Sequence, residues 1–493
     1  IAIIFIQVIL FTAFFTGCNT NSRAKATTIF TEDTLANLSS SSAKEHFIIQ
    51  NISTKGNKRT KEAIILRELN LSIGDTLAIK NLNQILKKNR NQVYNTRLFN
   101  DVNIQINEIG GQLIDLIVAV EERWYIIPAP IFELTDDFNV WWKTYNYDLK
   151  RTEYGLLFTD ENFRGRKEKL RLHIRSGYTQ KIELSYNLPF IDKAYTTGIT
   201  PFVSFIRNNQ VAYHTINNQR FDFKSDDIHN TPYILQRFRT GLGMSRRADI
   251  ISSHDFNLSY YHNKIDATLA NASASKGFMF FNNHDLKQQY FYLHYIYTYD
   301  NRDIRAYPLN GNYLRFQLSK AGLGIFDDLN MLWVRANYTQ YFKVSNKMYG
   351  LTNVRGFMSF PGNQPYFNQT GMQGGRNYVR GYELYIIDGQ YFGLARSAMK
   401  YELINTKFKN PILKADQFKT LPIAAYAKTY AETGYVVDNY YAETNTLANT
   451  LLYGMGVGLD VIFAYDSVLS LEYSRNHLNE WGFYMGFGVN YDF

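Results

Sequence analysis

From about Lys150 to the C-terminus, apolar residues recur at every second position in one segment after another. Leu170, Leu172 and Ile174 alternate with Lys169, Arg171, His173 and Arg175; Ile182, Leu184 and Tyr186 alternate with Lys181, Glu183 and Ser185. Leu314, Phe316 and Leu318 alternate with Arg315, Gln317 and Ser319, and Trp481, Phe483, Met485, Phe487, Val489, Tyr491 and Phe493 share one face of the last segment. A period of two is that of a β-strand whose two faces meet different surroundings. A soluble sandwich has no place for a second face this charged, whereas a closed cylinder sets it in a wet lumen and turns the apolar face to lipid. Closure also leaves no unpaired edge in hydrocarbon. At about 20 residues per strand and turn, residues 150–493 predict an all-β transmembrane barrel of about 16 antiparallel strands.

The pattern ahead of residue 150 differs. Phe47 to Ile52 reads as a short strand and Lys55-Gly56-Asn57 as a turn. Thr60 is placed to cap a helix carrying Ile64, Ile65 and Leu69. After Gly74-Asp75, a longer helix puts Ile79, Leu82, Ile85, Leu86 and Val93 on one face and Lys87, Lys88 and Arg90 on the other. Val102, Ile104 and Ile106 alternate, Gly110-Gly111 turns the chain, and Leu116, Val118 and Val120 alternate on the return. The order β-α-α-β-β over residues 47–123 predicts one small α+β domain, with residues 124–149 as a junction to the barrel. Residues 19–46, with Ser39 to Ser42, are polar and aperiodic and read as a flexible tether. Residues 1–18 pair an apolar stretch with Phe15-Thr16-Gly17-Cys18, the pattern of an export signal ending in a lipobox. Cys18 is the expected lipidation site.

Composition sharpens this picture. Aromatic residues make up 16% of the 493 residues, with 38 Tyr and 35 Phe, which suits the aromatic girdles of a membrane barrel better than a soluble core. After the first fifteen residues no apolar run is long enough for a membrane helix. The net charge of +9 is spread along the whole chain at alternate strand positions, so it reads as lumen, loop and lipid-headgroup charge and not as a nucleic-acid surface. Cys18 is the one cysteine, so no intrachain disulfide forms. The chain has no nucleophile elbow, metalloprotease helix or P-loop, and its nine histidines lack ligand spacing; it reads as a non-enzyme without metal or cofactor. Gly454-x-Gly456-x-Gly458 superficially resembles a nucleotide loop, but the glycines alternate within a strand and predict a smooth lumen patch against which a loop or side chain packs.

Several motifs together resemble the BamA/TamA superfamily, outer-membrane proteins that join POTRA domains to a sixteen-stranded barrel. The β-α-α-β-β unit, with Leu98-Phe99-Asn100-Asp101-Val102 entering its second strand, is similar to a single POTRA domain. Glu122-Arg123-Trp124-Tyr125-Ile126-Ile127-Pro128 resembles the junction into the barrel, and Glu161-Asn162-Phe163-Arg164-Gly165 its first hairpin. Gly374-Gly375-Arg376-Asn377-Tyr378-Val379-Arg380-Gly381-Tyr382 is similar to the motif that the family carries on a long loop folded into the lumen. Val354-Arg355-Gly356-Phe357 spells the same motif without the preceding glycines and reads as a strand-end arginine. Gly488, Tyr491 and Phe493 resemble the C-terminal signal of barrel proteins. The resemblance implies that Val379, Arg380, Gly381 and Tyr382 form the lumen-loop motif and that Glu402 and Glu432 are the acidic partners that pin Arg380 to the wall.

The same resemblance implies a chain in the bacterial outer membrane, its POTRA domain in the periplasm, handling unfolded or partly folded outer-membrane polypeptides in contact with lipid and accessory lipoproteins. Insertion would proceed at a seam between the first and last strands, here about Tyr154 to Thr159 and Trp481 to Phe493, by β-augmentation. Val102 to Ile106 or Phe47 to Ile52 offers a second edge for clients. The alternatives are a two-partner-type secretion pore, a passive channel, or a lipidated scaffold; a single POTRA unit fits an accessory member better than a principal insertase.

Overall fold

The computed structural model describes residues 45–135, 138–224, 233–372, 377–409, 420–463 and 467–489. Cys18, Tyr491 and Phe493, expected as lipidation site and C-terminal signal, lie outside the described residues, as do Gly374, Gly375 and Arg376.

The N-terminal domain comprises β1 (His46–Lys55), α1 (Glu62–Leu66), β2 (Thr76–Ala78), α2 (Leu82–Tyr94), β3 (Phe99–Gly110) and β4 (Leu113–Glu122). Its sheet runs β2-β1-β4-β3, with β1 and β4 parallel. Phe47, Ile49, Ile64, Ile65, Leu82, Leu86, Val93, Val102, Ile104, Leu116 and Val118 fill one core between helices and sheet. Phe47 to Ile52 is therefore no edge: β1 is flanked by β4 and by residues 74–78, and β3 is the outer strand. Thr60 does not cap α1, whose N-cap is Lys61. Its buried hydroxyl meets Tyr125 at 3.0 Å and accepts from the Asn162 side chain at 2.9 Å, tying the domain to the barrel entrance.

The second sheet has 16 strands, each antiparallel to its neighbours. In chain order they are β5 (Ile126–Leu134), β6 (Thr152–Phe163), β7 (Glu168–Gly177), β8 (Thr179–Asn187), β9 (Thr197–Asn208), β12 (Leu235–Arg247), β13 (Ser252–Ile265), β14 (Lys287–Asp300), β15 (Gly311–Ala321), β16 (Met331–Lys343), β17 (Met348–Phe360), β18 (Tyr391–Lys409), β19 (Thr420–Val437), β20 (Leu451–Phe463), β21 (Ser467–Asn476) and β22 (Trp481–Val489). A separate hairpin, β10 (Gln210–Ile216) and β11 (Gln219–Lys224), folds over the mouth away from the N-terminal domain and meets the loops that follow β17 and β19: Asn217 donates to the Thr444 carbonyl, and Ile386 to that of Asn218. Two helices lie in the loops of that end, α3 (Phe138–Lys143) and α4 (Ala267–Ser275).

The barrel does not begin at residue 150, and the expected junction 124–149 is not one. It contains the first strand, β5, so the sheet edge facing β22 is Ile126–Leu134 and not Tyr154 to Thr159. Pro128 and Pro130 obscured it, since proline cannot donate to a ladder. Here it need not: the Tyr125 carbonyl accepts from Glu161 and Thr135 N–H donates to Arg151, so odd-numbered residues face β6 and the prolines point their nitrogens the other way. Outermost strands accept proline for this reason. The turn at Glu161 to Gly165 is consequently the second hairpin of the barrel.

That turn and its neighbours seat the N-terminal domain across one mouth of the barrel. Arg247 at the end of β12 donates to both carboxylate oxygens of Glu68 at 2.8 and 2.7 Å. Arg59 pairs with Asp160 at 2.7 Å, and the Arg67 guanidinium lies 3.8 Å from the Phe190 ring centroid. Asn95, just past α2, donates to the Asp303 carbonyl at 3.1 Å and accepts from the Arg305 amide at 3.0 Å. Between domain and barrel lies a vestibule of about 1000 Å³ lined by Lys87, Arg90, Arg302, Arg305 and Lys343 among others. Burial alone would raise the Glu68 carboxyl, but Lys167, Arg247 and Arg67 outweigh it and hold the group down at about 2. A depressed carboxylate stabilises the docked state fully above its ordinary value of 4.5, and that contribution fades as pH falls toward 2. Docking is expected to be insensitive to pH between 5 and 7 and to weaken below about 4.5. Glu68→Gln is expected to release the domain at neutral pH, because three clustered cations lose their counter-charge; inter-domain distance measured by spin labels on α2 and β12 checks both.

Candidate functional site

Strands β19 to β21 carry the chemistry of the lumen, and their alternation explains how. Tyr426, Lys428, Tyr430, Glu432 and Gly434 face inward from β19, Gly454, Gly456, Gly458 and Asp460 from β20, and Ser470, Glu472 and Ser474 from β21. Register sets three rows across the wall: Glu432, Gly454 and Asn476; Tyr430, Gly456 and Ser474; Lys428, Gly458 and Glu472. Each row has glycine in the middle, and in two of them the outer side chains reach each other across it. Tyr430 and Ser474 hydroxyls meet at 2.7 Å, and Lys428 Nζ lies 2.5 Å from Glu472 Oε1. A Cβ at Gly456 would stand 2.5 Å from the Tyr430 hydroxyl, and one at Gly458 2.8 Å from Lys428 Cε. At Gly454 it would stand 2.2 Å from the Arg380 carbonyl oxygen.

The loop between β17 and β18 descends onto this glycine groove. Arg380, 7% exposed, directs Nη1 to Glu432 Oε1 at 2.7 Å, while its backbone N–H donates to Glu432 Oε2 at 3.0 Å. Its Nε lies 2.7 Å from Glu472 Oε2, a charge contact outside hydrogen-bond alignment, and its guanidinium lies 4.3 Å from the Tyr430 ring centroid. Both carboxylate side chains are 0% exposed. Gly381 has φ +94, a left-handed conformation suited to glycine, and its carbonyl accepts from the Asn476 side chain at 2.7 Å. Val379 and Tyr382 are buried in an apolar cluster with Met372, Ile387, Phe392, Leu394, Val436 and Leu452, and the Tyr382 hydroxyl meets His477 Nδ1.

Two further cations complete the cluster. Arg396 on β18 lies 3.4 Å from Glu432 and donates to the Tyr378 carbonyl. Lys428 contacts Asp460 at 2.6 Å as well as Glu472. Asp460 also accepts from the Tyr307 hydroxyl at 2.7 Å; Tyr307 belongs to the 301–310 connection that touches Asn95, and its ring stacks on Tyr426 at 5.0 Å beneath Lys400 Nζ at 3.8 Å. Contacts thus run without interruption from the N-terminal domain to the loop arginine.

Of the two expected acidic partners, Glu432 is at Arg380 and Glu402 is not. Glu402 sits six residues beyond Arg396 on β18, about 20 Å along the strand, where it accepts from the Tyr426 hydroxyl at 3.2 Å and lines the vestibule. The second carboxylate is Glu472. Its signal was present, an acid between Ser470 and Ser474 on an alternating strand, but only register reveals which row it shares. Arg355 lies on β17 and approaches the loop at Asn377, 3.5 Å away, without belonging to it. Gly488 faces inward on β22 with nothing within 4 Å of a Cβ placed there.

An Omp85 superfamily domain model matches residues 162–489. The chain belongs to the Omp85 superfamily. A POTRA model, described as a surface antigen variable number repeat, matches residues 47–123. No curated protein sequence matches the chain. Among solved structures, CdiB from Escherichia coli is similar at 13% identity with a TM-score of 0.52, covering 90% of this chain and 76% of that one. BamA from Haemophilus ducreyi lacking POTRA domains 1–3 is similar at 14% identity with a TM-score of 0.49, covering 90% of this chain and 83% of that one. At its identity the CdiB likeness speaks to fold alone, and this Omp85 protein has one POTRA domain and a sixteen-stranded barrel with its long loop pinned inside.

Proposed function

We propose that this Omp85 protein inserts polypeptide chains into the bacterial outer membrane, with its POTRA domain on the periplasmic side receiving unfolded clients. The observation that carries this reading is the seam. Both mouths of the barrel are obstructed, one by the POTRA domain and the other by the pinned loop and the β10–β11 hairpin, while β5 and β22 are not paired to each other among the described residues. A path through the lumen requires moving two anchored plugs; a path sideways requires only that two strand edges part. Exposed apolar residues on β22 (Trp481, Phe483, Met485) and on β6 to β9 (Tyr154, Leu156, Ile174, Ile182, Val203) give the wall the greasy exterior that a lipid setting demands.

The test reconstitutes the purified chain in liposomes and follows folding of a urea-denatured eight-stranded outer-membrane barrel polypeptide by its heat-dependent gel shift. Folding is expected to accelerate at least tenfold over empty liposomes, and planar bilayers are expected to show small flickering currents. No acceleration together with a large, steady conductance would make the chain a passive channel instead.

A further inference from the structure

Away from the Arg380 cluster, from β7 to β16, the lumen wall has a different charge character. On β7, Ile174 is exposed on the lipid face, so Arg171 turns inward. On β12, Phe238, Leu242 and Met244 are exposed, so Arg237 and Arg239 turn inward. On β15 and β16, Leu318 and Tyr338 are exposed, which sets Arg315 and Arg335 in the lumen. The Nε of each of these five arginines is buried without a hydrogen-bond partner in the protein, and none of the five has an ion-pair partner among the described residues.

Neutral groups hold them in place. Arg237 Nη2 donates to Asn208 Oδ1 at 2.8 Å, and the Arg239 and Arg335 guanidinium groups lie 5.0 and 5.1 Å from the ring centroids of Tyr261 and Phe357. The acids nearby are committed elsewhere or too far: Glu153 pairs with Arg175, Glu183 with Lys181 at 2.8 Å, and Asp255 feels the charge of Arg315 without pairing with it. By contrast, the wall from β18 to β21 sets Glu432, Asp460 and Glu472 against Arg380, Arg396 and Lys428. Cations in a partly desolvated space call for counter-charge, and this half of the barrel does not supply it.

We propose that the wall carrying Arg171, Arg237, Arg239, Arg315 and Arg335 binds molecules that bear several phosphate groups, a role that stands whether or not the chain inserts polypeptides. Arg237 and Arg239 are successive inward positions on one strand, about 7 Å apart. Arg335 is in register with Gln317, so Arg315 is its diagonal neighbour, again about 7–8 Å away. Each such pair needs two negative charges close together. A carboxylate brings one charge and two oxygens, whereas a phosphate group brings up to about two charges and three acceptor oxygens, and a guanidinium fork takes two of those oxygens at once. The way in is cationic too: Lys87, Lys88 and Lys343 line the vestibule, and Arg247 continues the inward face of β12 down to it.

The test titrates the full chain in nonionic micelles with sodium tripolyphosphate in a calorimeter. Saturable binding is expected, and Arg239→Gln/Arg335→Gln is expected to weaken it at least tenfold, as loss of charged hydrogen bonds should. An unchanged heat-dependent gel shift shows that the variant is folded; Arg239→Lys/Arg335→Lys, which keeps the charge and loses the fork, is expected to fall between and serves if the first pair does not fold. Citrate, with three carboxylates, is expected to bind at least tenfold more weakly than tripolyphosphate. In planar bilayers the Arg380→Ala chain is expected to pass anions in preference to cations and to be blocked by tripolyphosphate added on the POTRA side, with the block lost when Arg239→Gln/Arg335→Gln is added. Affinity unchanged in both lumen pairs, affinity lost instead in Lys87→Gln/Lys88→Gln, citrate bound as tightly, or a cation-selective open barrel would each overturn the proposal.

Discussion

Arg380→Ala is expected to free the lumen loop and leave the barrel open. The guanidinium touches Glu432 and Glu472, whose side chains are fully buried, and among the described residues no other cation contacts both. Arg396 stays 3.4 Å from Glu432 and Lys428 stays on Glu472, so each carboxylate keeps one partner and loses its second. Removing one member of a buried ion cluster costs about 3–5 kcal/mol. The apolar contacts of Val379 and Tyr382 remain, but Arg380 also holds the loop backbone through its N–H, which loses its aligned acceptor once the loop lifts. The expected results are proteolysis within residues 361–390 in intact barrels, a conductance several-fold larger and steadier, and a lowered transition temperature of the heat-dependent gel shift. Arg380→Lys is expected to fall between, since a single ammonium cannot present separate nitrogens to two carboxylates. A loop that remains protease-resistant in both variants would show that the glycine groove and the apolar cluster suffice.

Lys428→Met is expected to have an effect of similar size and a different character. The Lys428 side chain is 0% exposed and stands between those of Asp460 and Glu472, 1% and 0% exposed. Methionine fills much the same volume, so packing changes little and the loss is almost entirely electrostatic. Asp460 keeps the Ser470 and Tyr307 hydroxyls and the more distant charge of Lys400 but loses its direct ammonium contact. A destabilisation of about 3–5 kcal/mol is expected, read as a lower denaturant midpoint. The companion Asp460→Asn removes the stranded charge, so the double variant is expected to recover most of that loss and show a coupling energy well above about 1 kcal/mol. Additive losses would mean that Lys428 and Asp460 act separately. The loop itself is expected to stay in place, which distinguishes this variant from Arg380→Ala.

The alternation that announced the barrel is a direct imprint of its geometry, because each strand reads out lipid and lumen in turn. The last strand illustrates this: Trp481, Phe483 and Met485 are exposed and Gly482 faces the lumen, as their spacing implied. The helices and strands of the POTRA domain were legible for the same reason, their period marking which face meets the core. What the sequence hid were facts settled between strands. Pro128 and Pro130 made β5 look like linker, because whether a missing donor matters depends on which side of a strand has a neighbour. Glu402 and Glu472 are equivalent as letters, and turn lengths, together with the bulge between Glu402 and Ile404, decide which of them shares a row with Arg380. Thr60 resembled a cap because it precedes a helix, yet its hydroxyl found partners 65 and 102 residues away.

The glycine groove carries a consequence for how this protein can vary. The outer face of β20, with Leu451, Tyr453, Met455 and Val457, borders a fluid and tolerates one greasy side chain much as another. Its inner face admits no such drift, for even a methyl group at Gly454 would meet a backbone oxygen at 2.2 Å, and that oxygen belongs to the plug. Freedom and constraint therefore interleave residue by residue along a single strand, and the molecule's most restricted positions are those that contribute no side chain.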